Sequence, residues 1–361
     1  MRSFSKLECH FMSTRLRKII ADMEGYVPGE QPQQGGYIKL NTNENPYPPS
    51  PRVLSALRKA TNRSLRLYPE PLSDSLRSLA AETYGIRAEN VLAGNGSDEL
   101  LSILARCFVG TGDRALYPVP TYTLYDTLIT IQEGDKATVD YPADFSLPEG
   151  LYSQEAALTF LCNPNSPSGT LVSVQQIEDL ARAVRGVLVV DEAYIDFAEG
   201  EEASALPLIR SLPNVVVLRS FSKSFSLAGM RIGLAFAPAE IIAAMTKVKD
   251  SYNLNRLSMA AAIAALRDIS WMRRNVRRIQ KTRKRLTRAL RRLGFTVYPS
   301  QANFVLARRP GENLKGLYEE LKRRKVLVRY FAAPGLEDSV RITVGTPQEI
   351  QTLLQELAAI G

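Results

Sequence analysis

The sequence predicts an α/β protein with a large, doubly wound, mostly parallel sheet domain and a smaller α+β domain. Strand and helix patterns alternate between residues 54 and 249, which is typical of a sheet covered by helices on both faces. The apolar runs in that region are short and rich in Val and Leu, as buried parallel strands are. The C-terminal part instead combines a long basic helix with short apolar runs. A chain of 361 residues also exceeds the usual length of one domain.

The elements of the large domain follow from these runs in chain order. They are a strand at 90–93, a helix at 97–106, and strands at 115–117, 158–161, 186–190 and 214–218. The smaller domain is predicted to contain strands at 296–298, 303–306, 326–328 and 340–344. We place an N-terminal arm with part of the small domain at 1–39, the large domain at 40–252, and the small C-terminal domain at 253–361. The proline-rich stretch from Pro28 to Pro51 is expected to run over the surface.

The net charge of +9 does not by itself indicate a nucleic-acid partner. Eleven of the 46 Lys and Arg residues, and no acid, lie between Arg273 and Arg292, so the rest of the chain is nearly neutral. Apolar residues recur there at helical spacing, which predicts one buried stripe and a solvated basic face. The stripe consists of Met272, Val276, Ile279, Leu286, Leu290 and Leu293. A nucleic-acid-binding regulator is the less favoured alternative, because neither an aromatic platform nor a helix-turn-helix segment accompanies the charge.

The scarcity of histidine and cysteine excludes several kinds of site. His10 is the only histidine, which argues against a His-based triad and a His-ligated zinc. The scattered Cys9, Cys107 and Cys162 indicate neither a disulfide framework nor a metal motif, so we expect no metal. Without a signal peptide or a bilayer-length apolar run, we expect a cytoplasmic protein with no membrane partner. Met12 is an alternative to Met1 as the start.

The segment from Arg219 to Arg231 carries the strongest signal for chemistry. The run 214–218 predicts a buried strand, so Lys223 lies beyond its C-terminal end, where open α/β sheets bind ligands. A lysine there, beside a second cation that lowers the pKa of its amine, suits a Schiff-base lysine. Arg231 can hold a phosphate through two hydrogen bonds. Ser220-Phe-Ser-Lys223 also matches the S-x-x-K pattern of acyl-serine enzymes, but their S-D-N and K-T-G segments are missing.

Polar residues in neighbouring strand-end loops complete a candidate cofactor pocket. The turn 94–98 leads into a helix N-terminus whose free N–H groups suit a phosphate. Asp191 ends a predicted strand, where its carboxylate could keep a pyridine nitrogen protonated, although a structural turn aspartate fits this position equally well. Asn163 and Tyr194 could donate hydrogen bonds to a ring oxygen, and Tyr122 could stack on the ring.

The order and spacing of these loops are specific only when they are taken together. They comprise a phosphate turn, an aromatic residue, an Asn-Pro turn, Asp-Glu-Ala-Tyr, and Ser-x-Ser-Lys with an arginine eight residues further on. In this the chain resembles the fold-type-I aminotransferases that use pyridoxal 5′-phosphate, and within them the histidinol-phosphate aminotransferases. The resemblance extends from about residue 26 to 346, and its distinguishing segments lie at 26–30, 39–46, 66–69 and 340–346. The turn 163–169 departs from the family, since it carries serines where Asn and Thr are frequent.

The resemblance implies a role for each polar residue of the pocket. Lys223, Asp191 and Tyr194 would be catalytic, with Lys223 bonding the cofactor and shuttling a proton, and Asp191 pairing with the pyridine nitrogen. Pyridoxal 5′-phosphate would contact Gly96, Ser97, Asp98, Tyr122, Asn163, Asp191, Tyr194, Ser220, Ser222, Lys223 and Arg231. Tyr68 of the partner subunit would reach the same phosphate, which implies a homodimer.

The implied reaction is transamination between histidinol phosphate and 2-oxoglutarate in histidine biosynthesis. Arg341 would bind the carboxylate of glutamate or the phosphate of histidinol phosphate, since a guanidinium accepts either anion. Arg329, Asn45 and Tyr26 would assist in binding the substrate, with Tyr26 supplied by the partner. An aromatic amino acid aminotransferase and a threonine-phosphate decarboxylase share this framework and remain alternatives.

Overall fold

The structure of the chain is a computed structural model that describes residues 16–32, 35–200 and 203–360. The expectations for Cys9, His10 and Met12 lie outside these residues. Across the described ranges, no helix has both the length and the apolar composition that crossing a bilayer requires.

Strands and α-helices alternate along most of the described chain. The strands are β1 (Ile38–Lys39), β2 (Val91–Gly94), β3 (Arg114–Val119), β4 (Asp135–Asp140), β5 (Leu158–Cys162), β6 (Val187–Asp191), β7 (Val215–Ser220), β8 (Gly233–Phe236), β9 (Thr296–Val297), β10 (Phe304–Arg308), β11 (Val326–Leu327), β12 (Arg329–Tyr330) and β13 (Ser339–Thr343). The helices are α1 (Lys18–Asp22), α2 (Pro51–Ala60), α3 (Asp74–Tyr84), α4 (Ser97–Phe108), α5 (Leu124–Ile131), α6 (Val174–Ala183), α7 (Ala239–Val248), α8 (Arg256–Leu266), α9 (Ile269–Arg292), α10 (Lys315–Arg323) and α11 (Pro347–Ile360).

A seven-stranded sheet in the order β2-β8-β7-β6-β5-β3-β4 forms the centre of the large domain. Only β8 runs against its neighbours, so the sheet is mostly parallel and the predicted α/β fold class is confirmed. Strands β4 and β8 had not been predicted. The edge strand β4 has no fully buried residue and so leaves no apolar run in the sequence, whereas β8 lies in an apolar run that the predicted elements do not include.

Both faces of this sheet are buried, which explains the uninterrupted apolar strands. In β7, Val215 and Val217 belong to one apolar core, while Val216 and Leu218 belong to the other. Helices α3, α6 and α8 cover the first face, and helices α4, α5 and α7 cover the second. Because water is excluded from both faces, the strands are mostly apolar, and most of the polar groups gather at and beyond their ends.

A second, antiparallel sheet in the order β12-β13-β10-β9 lies in the C-terminal part of the chain. Strand β1 pairs in parallel with β11, so the segment before residue 40 joins this part of the fold. Helix α8 packs against α2 and α3, which belong to the predicted large domain. The domain boundaries at 39/40 and 252/253 stay a prediction.

The proline-rich segment does not simply cross the surface, as the sequence had suggested. Leu40, Asn43 and Tyr47 are buried. The backbone N–H of Asn43 donates to Oγ1 of Thr343 at 3.0 Å, and Nδ2 of Asn303 donates to the carbonyl of Asn43 at 2.9 Å. Since these partners lie in or beside the small sheet, the segment is enclosed in the fold.

Helix α9 has the predicted apolar stripe, but one of its basic residues is not solvated. Arg283 is only 4% exposed. Its Nη1 donates to the carbonyls of Phe197 and Ala302 at 3.0 and 2.7 Å, and its Nη2 lies 3.0 Å from Oε1 of Glu199. The spacing of charges in the sequence cannot identify this exception, because the partners are distant backbone carbonyls.

Replacing Arg283 by alanine is expected to lower the free energy of unfolding by about 2–4 kcal/mol, because two carbonyls lose their donor. Lys284→Ala is the matched control, since Lys284 pairs with the same Glu199 but is 59% exposed. The control should change stability by less than about 0.5 kcal/mol. Urea unfolding measures both variants, and equal losses would contradict this account of Arg283.

Candidate active site

The loops at the C-terminal ends of β6 and β7 and the N-terminus of α4 enclose a cavity of about 350 Å³. Twelve of the sixteen predicted site residues line it. They are Tyr26, Ser97, Asp98, Tyr122, Asp191, Tyr194, Ser220, Ser222, Lys223, Arg231, Arg329 and Arg341. Four do not line it: Gly96, Asn163, Asn45 and Tyr68.

Lys223 lies half-buried in the loop after β7, as predicted. Its Nζ donates to the carbonyl of Thr42 at 3.4 Å and lies 5.7 Å from the centre of the Tyr194 ring. Removal from water and, to a lesser extent, the nearby positive charge of Arg341 together lower the pKa of the amine to about 8. The sequence had suggested the neighbouring charge as the cause, whereas burial contributes more. A substantial fraction of the amine is therefore neutral near pH 8.

Asp191 is buried at the end of β6. Its Oδ1 accepts the N–H of Ala193 at 3.2 Å, and its Oδ2 accepts the hydroxyl of Tyr125 at 3.0 Å. Burial raises the pKa of Asp191 to about 6, while these hydrogen bonds oppose the rise. The carboxylate is thus mostly ionised at neutral pH and faces the cavity. Tyr125 was not identified from the sequence, where it reads as one more apolar position of helix α5.

Helix α4 and the loop after β7 form an anion cradle at one end of the cavity. Nη1 of Arg231 donates to Oγ of Ser222 at 3.2 Å, and its Nη2 lies 3.0 Å from Oδ2 of Asp98. The hydroxyl of Tyr122 donates to the other oxygen of Asp98 at 3.1 Å. Together with Ser220 and the N-terminus of α4, these groups offer the donors that a phosphate needs.

Gly96 serves this cradle through its missing side chain. It has a φ of +87°, and a Cβ atom there would lie 2.6 Å from Nη2 of Arg231. Any other residue would be strained and would displace the guanidinium. Gly96 is therefore predicted to contact the cofactor through its backbone.

Asn163 is predicted to hold a ring oxygen, and this stays a prediction. It is fully buried; its Nδ2 donates to the carbonyl of Val172 at 3.1 Å, and its Oδ1 accepts the N–H of Val172 at 2.8 Å. These two hydrogen bonds fix the turn and use one of the two N–H groups of Nδ2. Ser166, three residues later, lines the cavity instead, and its Oγ accepts Nη1 of Arg341 at 2.9 Å.

Asn45 is predicted to assist in binding the substrate, and this too stays a prediction. Its Nδ2 donates to the backbone carbonyls of Lys223 and Ser224 at 3.0 and 3.1 Å. The side chain thus holds the loop that carries the lysine and does not line the cavity.

A second cationic region of the cavity is formed by Arg329 in β12 and Arg341 in β13. Arg329 and Arg341 each lie 5.5 Å from the centre of the Phe331 ring. Nη2 of Arg341 donates to the carbonyl of Asn41 at 3.1 Å, while its buried Nε has no hydrogen-bond partner. No carboxylate pairs with either guanidinium within the described ranges. Cations held beside apolar surface without a counterion favour an anionic ligand.

Tyr26 lines the cavity of its own chain, although the sequence had suggested that the partner supplies it. Its ring centre lies 6.0 Å from that of Tyr122, in an edge-to-face arrangement. The preceding segment is held close to α5, because Nη2 of Arg17 donates to the carbonyl of Ile131 at 3.0 Å and pairs with Glu133. The segment that contains Arg17 and Tyr26 therefore lies beside the cavity of its own chain.

Several lining residues went unnoticed in the sequence, among them Thr42, Asn43 and Glu44. Nδ2 of Asn43 donates to the hydroxyl of Tyr194 at 3.1 Å. Removal from water raises the pKa of Tyr194 to about 12, so its hydroxyl stays a donor at neutral pH. The polar run within the segment 39–46 is the sequence signal for these lining residues, although it led to a prediction for Asn45 alone.

The neutral fraction of Lys223 can be measured directly. Only a neutral amine reacts with an acylating reagent, so labelling of the Lys223 peptide should be half-maximal near pH 8, against 10.5 for an ordinary lysine. Arg341→Gln should move the midpoint upward by removing the adjacent charge. Peptide mass spectrometry follows the labelling, and a midpoint above pH 10 in the unmodified chain would contradict the assignment.

Comparison with known proteins identifies the family. The family model "Aminotransferase class I and II" matches residues 36–357. Histidinol-phosphate aminotransferase of Geotalea daltonii is 46% identical over 348 residues, which cover 96% of this chain and 99% of that protein. The Sinorhizobium meliloti histidinol-phosphate aminotransferase, solved in complex with pyridoxal-5′-phosphate, has a TM-score of 0.89 and 26% identity, with 96% and 99% of the two chains covered.

A solved structure with another activity shares the same fold. L-threonine-O-3-phosphate decarboxylase of Porphyromonas gingivalis has a TM-score of 0.79 and 25% identity, with 89% of this chain and 98% of that chain covered. Its identity to this chain is far below that of the Geotalea enzyme. The resemblance inferred from the loop motifs is thereby confirmed. The chain belongs to the class I and II aminotransferase family, and within it to the histidinol-phosphate aminotransferases.

Proposed function

We propose that this chain is a pyridoxal-phosphate-dependent aminotransferase that exchanges an amino group between histidinol phosphate and 2-oxoglutarate. In the biosynthetic direction, glutamate donates the amino group to imidazole acetol phosphate. The observation that carries the proposal is the pairing, in one cavity, of a partly neutral lysine with two guanidiniums that lack an acidic partner. An aminotransferase needs this combination, because both of its substrates are anions and its chemistry needs a reactive amine.

The residues present fit the cofactor. A neutral amine at Lys223 can bond an aldehyde, the carboxylate of Asp191 can pair with a pyridinium, and the cradle around Arg231 and Ser222 can hold a phosphate. When bound, pyridoxal phosphate supplies an electron-withdrawing ring that stabilises the negative charge left at the substrate Cα. Asp191 keeps a proton on the ring nitrogen, and this maintains that withdrawal.

Lys223 also moves the proton. Once its amine is released, it can accept the proton from the substrate Cα, because a pKa near 8 leaves much of it neutral. Tyr194 would donate to the ring oxygen, and Asn43 would orient it by donating to the same hydroxyl. Asn45 supports both roles by fixing the carbonyl of Lys223.

Arg341 and Arg329 select the substrates. A guanidinium can bind the carboxylate of glutamate in one half-reaction and the phosphate of histidinol phosphate in the other. Two guanidiniums exceed what the single carboxylate of phenylalanine or tyrosine needs, which favours a phosphorylated substrate over an aromatic one. Tyr26 lines the same cavity and can contact that phosphate.

The proposal includes a homodimer in the cytoplasm. Tyr68 is 78% exposed, lies outside the cavity of its own chain and stacks on Tyr252 at 4.5 Å between ring centres. Leu65 and Leu67 beside it are also exposed, so the patch is apolar enough for a second copy to cover. The free thiols of Cys107 and Cys162 suit a reducing compartment.

A substrate panel tests the reaction. The purified protein with pyridoxal phosphate is expected to convert histidinol phosphate faster than phenylalanine or tyrosine, with 2-oxoglutarate as acceptor and glutamate as the measured product. Arg329→Met should raise KM for histidinol phosphate by about tenfold or more and affect glutamate less. Faster turnover of phenylalanine, or release of carbon dioxide from threonine phosphate, would point to the alternative activities.

Lys223→Ala tests the reactive amine. The variant should keep the fold but lose turnover by at least about 1,000-fold, since it loses both the bonding amine and the proton carrier. Borohydride reduction of the unmodified protein, followed by peptide mass spectrometry, should find a pyridoxyl group on Lys223. Near-normal activity of the variant, or the group on another peptide, refutes the assignment.

Subunit mixing tests whether Tyr68 acts across a dimer. Lys223→Ala and Tyr68→Ala chains should each be weakly active, but a mixed dimer contains one site with both native residues. Random mixing in equal amounts should therefore recover about a quarter of the native activity, since half of the dimers are mixed and have one intact site of two. If Tyr68 served its own chain, mixing would recover nothing.

A further inference from the structure

Tyr125 is enclosed by aromatic side chains in the core of the large domain. It is fully buried in α5, and its ring stacks on Phe160 at 4.6 Å between centres and 7° between planes. Tyr122 and Tyr117 contact it edge-to-face, with ring centres 5.6 and 6.1 Å away. The contacts of the ring fix the position of the hydroxyl, which also lies within reach of the Cys162 thiol. The hydroxyl points at Oδ2 of Asp191, at 3.0 Å.

We propose that Tyr125 is a positioning residue that keeps the carboxylate of Asp191 ionised and oriented toward the cavity. This rests on the proposed function, in which Asp191 pairs with the cofactor nitrogen. A hydroxyl that donates to a carboxylate favours its charged form, because the neutral acid accepts such a bond less strongly. Without Tyr125, the carboxyl would keep, among the described residues, only the N–H of Ala193 as a donor.

The other charges around Asp191 make this donor necessary. Asp98 and Glu192 are negative and raise the pKa of Asp191, in addition to burial. Cys162 pairs with Asp191 across the sheet, and its thiol is neutral because burial raises its pKa. Lys223 and Tyr194 line the same cavity. Tyr125 is thus the side chain whose hydrogen bond opposes the protonation of Asp191.

The expected consequence of Tyr125→Phe has a definite sign. The folded-state pKa of Asp191, about 6, lies above its ordinary 3.8, so folding stability falls as pH rises through this window. Losing a hydrogen bond to a charged group should raise that pKa by about one to two pH units. In the variant, folding stability therefore continues to fall up to a higher pH. Its loss of stability relative to the unmodified chain is small at pH 5 and larger at pH 8.

Tyr117→Phe is the matched control. The hydroxyl of Tyr117 also donates to a carboxylate, Oδ1 of Asp126 at 3.1 Å, but that carboxylate is 54% exposed. Water can replace the lost donor there, so the deficit should not depend on pH between 5 and 8.

Urea unfolding of the full chain without cofactor gives the first readout. The unfolding equilibrium constant of Tyr125→Phe relative to the unmodified chain should be about ten- to a hundred-fold larger at pH 8 than at pH 5. An equal deficit at both pH values, or the same growth in Tyr117→Phe, would overturn the proposal. Should Tyr125→Phe not fold, 3-fluorotyrosine at position 125 keeps the shape and strengthens the donor. Its relative unfolding constant should change in the opposite direction, and no change would overturn the proposal.

The dissociation constant of pyridoxal phosphate gives the second readout. In Tyr125→Phe it should increase about tenfold at pH 6.5 and much less at pH 8.5, where Asp191 ionises again. KM for the substrates should stay the same, because Tyr125 does not line the cavity. A pH-independent change would refute the role. If the unmodified chain bound no cofactor, the proposed function would fail, while the unfolding measurement would still decide what Tyr125 does.

Discussion

The rest of the structure depends on holding Asp191, Lys223 and Arg341 in one cavity without pairing them with each other. None of the three forms an ion pair within the part of the chain that the structure describes. Charges removed from water in this way carry a free-energy cost, which the fold meets through hydrogen bonds from neutral groups and through shifted pKa values. The seven-stranded sheet makes this possible, because its two apolar cores fix the strand ends from which Asp191 and the lysine loop project.

An ion-pair network anchors the loop that carries Lys223. Arg219 lies 2.8 Å from Oε2 of Glu192 and 2.9 Å from Oδ1 of Asp196, and all three are largely shielded from solvent. The hydroxyl of Ser224, next to Lys223, donates to Asp196. The loop is therefore anchored by satisfied charges, which leaves the amine of Lys223 free to react.

Sequence reasoning located the strand ends but not the orientation of every side chain. The ends of β6 and β7 follow from apolar runs, because burial on both faces of a parallel sheet leaves a local pattern. Asn163 and Ser166 lie in one turn, and which of them faces the cavity depends on the backbone of Val172 on a later segment. Tyr125 fits an ordinary apolar helix position until its hydroxyl is placed beside Asp191. Such assignments depend on contacts between distant segments, which periodicity does not encode.

The two cationic regions of the cavity differ in a way that separates their ligands. Arg231 already pairs with Asp98, so the cradle around it offers directed donors with little excess charge. Such a site suits a phosphate that stays bound, aided by the N-terminus of α4. Arg329 and Arg341 have no acidic partner in the described ranges and carry their full charge into the cavity. Because few fixed contacts occupy these guanidiniums, we propose that they can bind a carboxylate in one half-reaction and a phosphate in the next. Guanidiniums already paired with carboxylates would bind either anion less well.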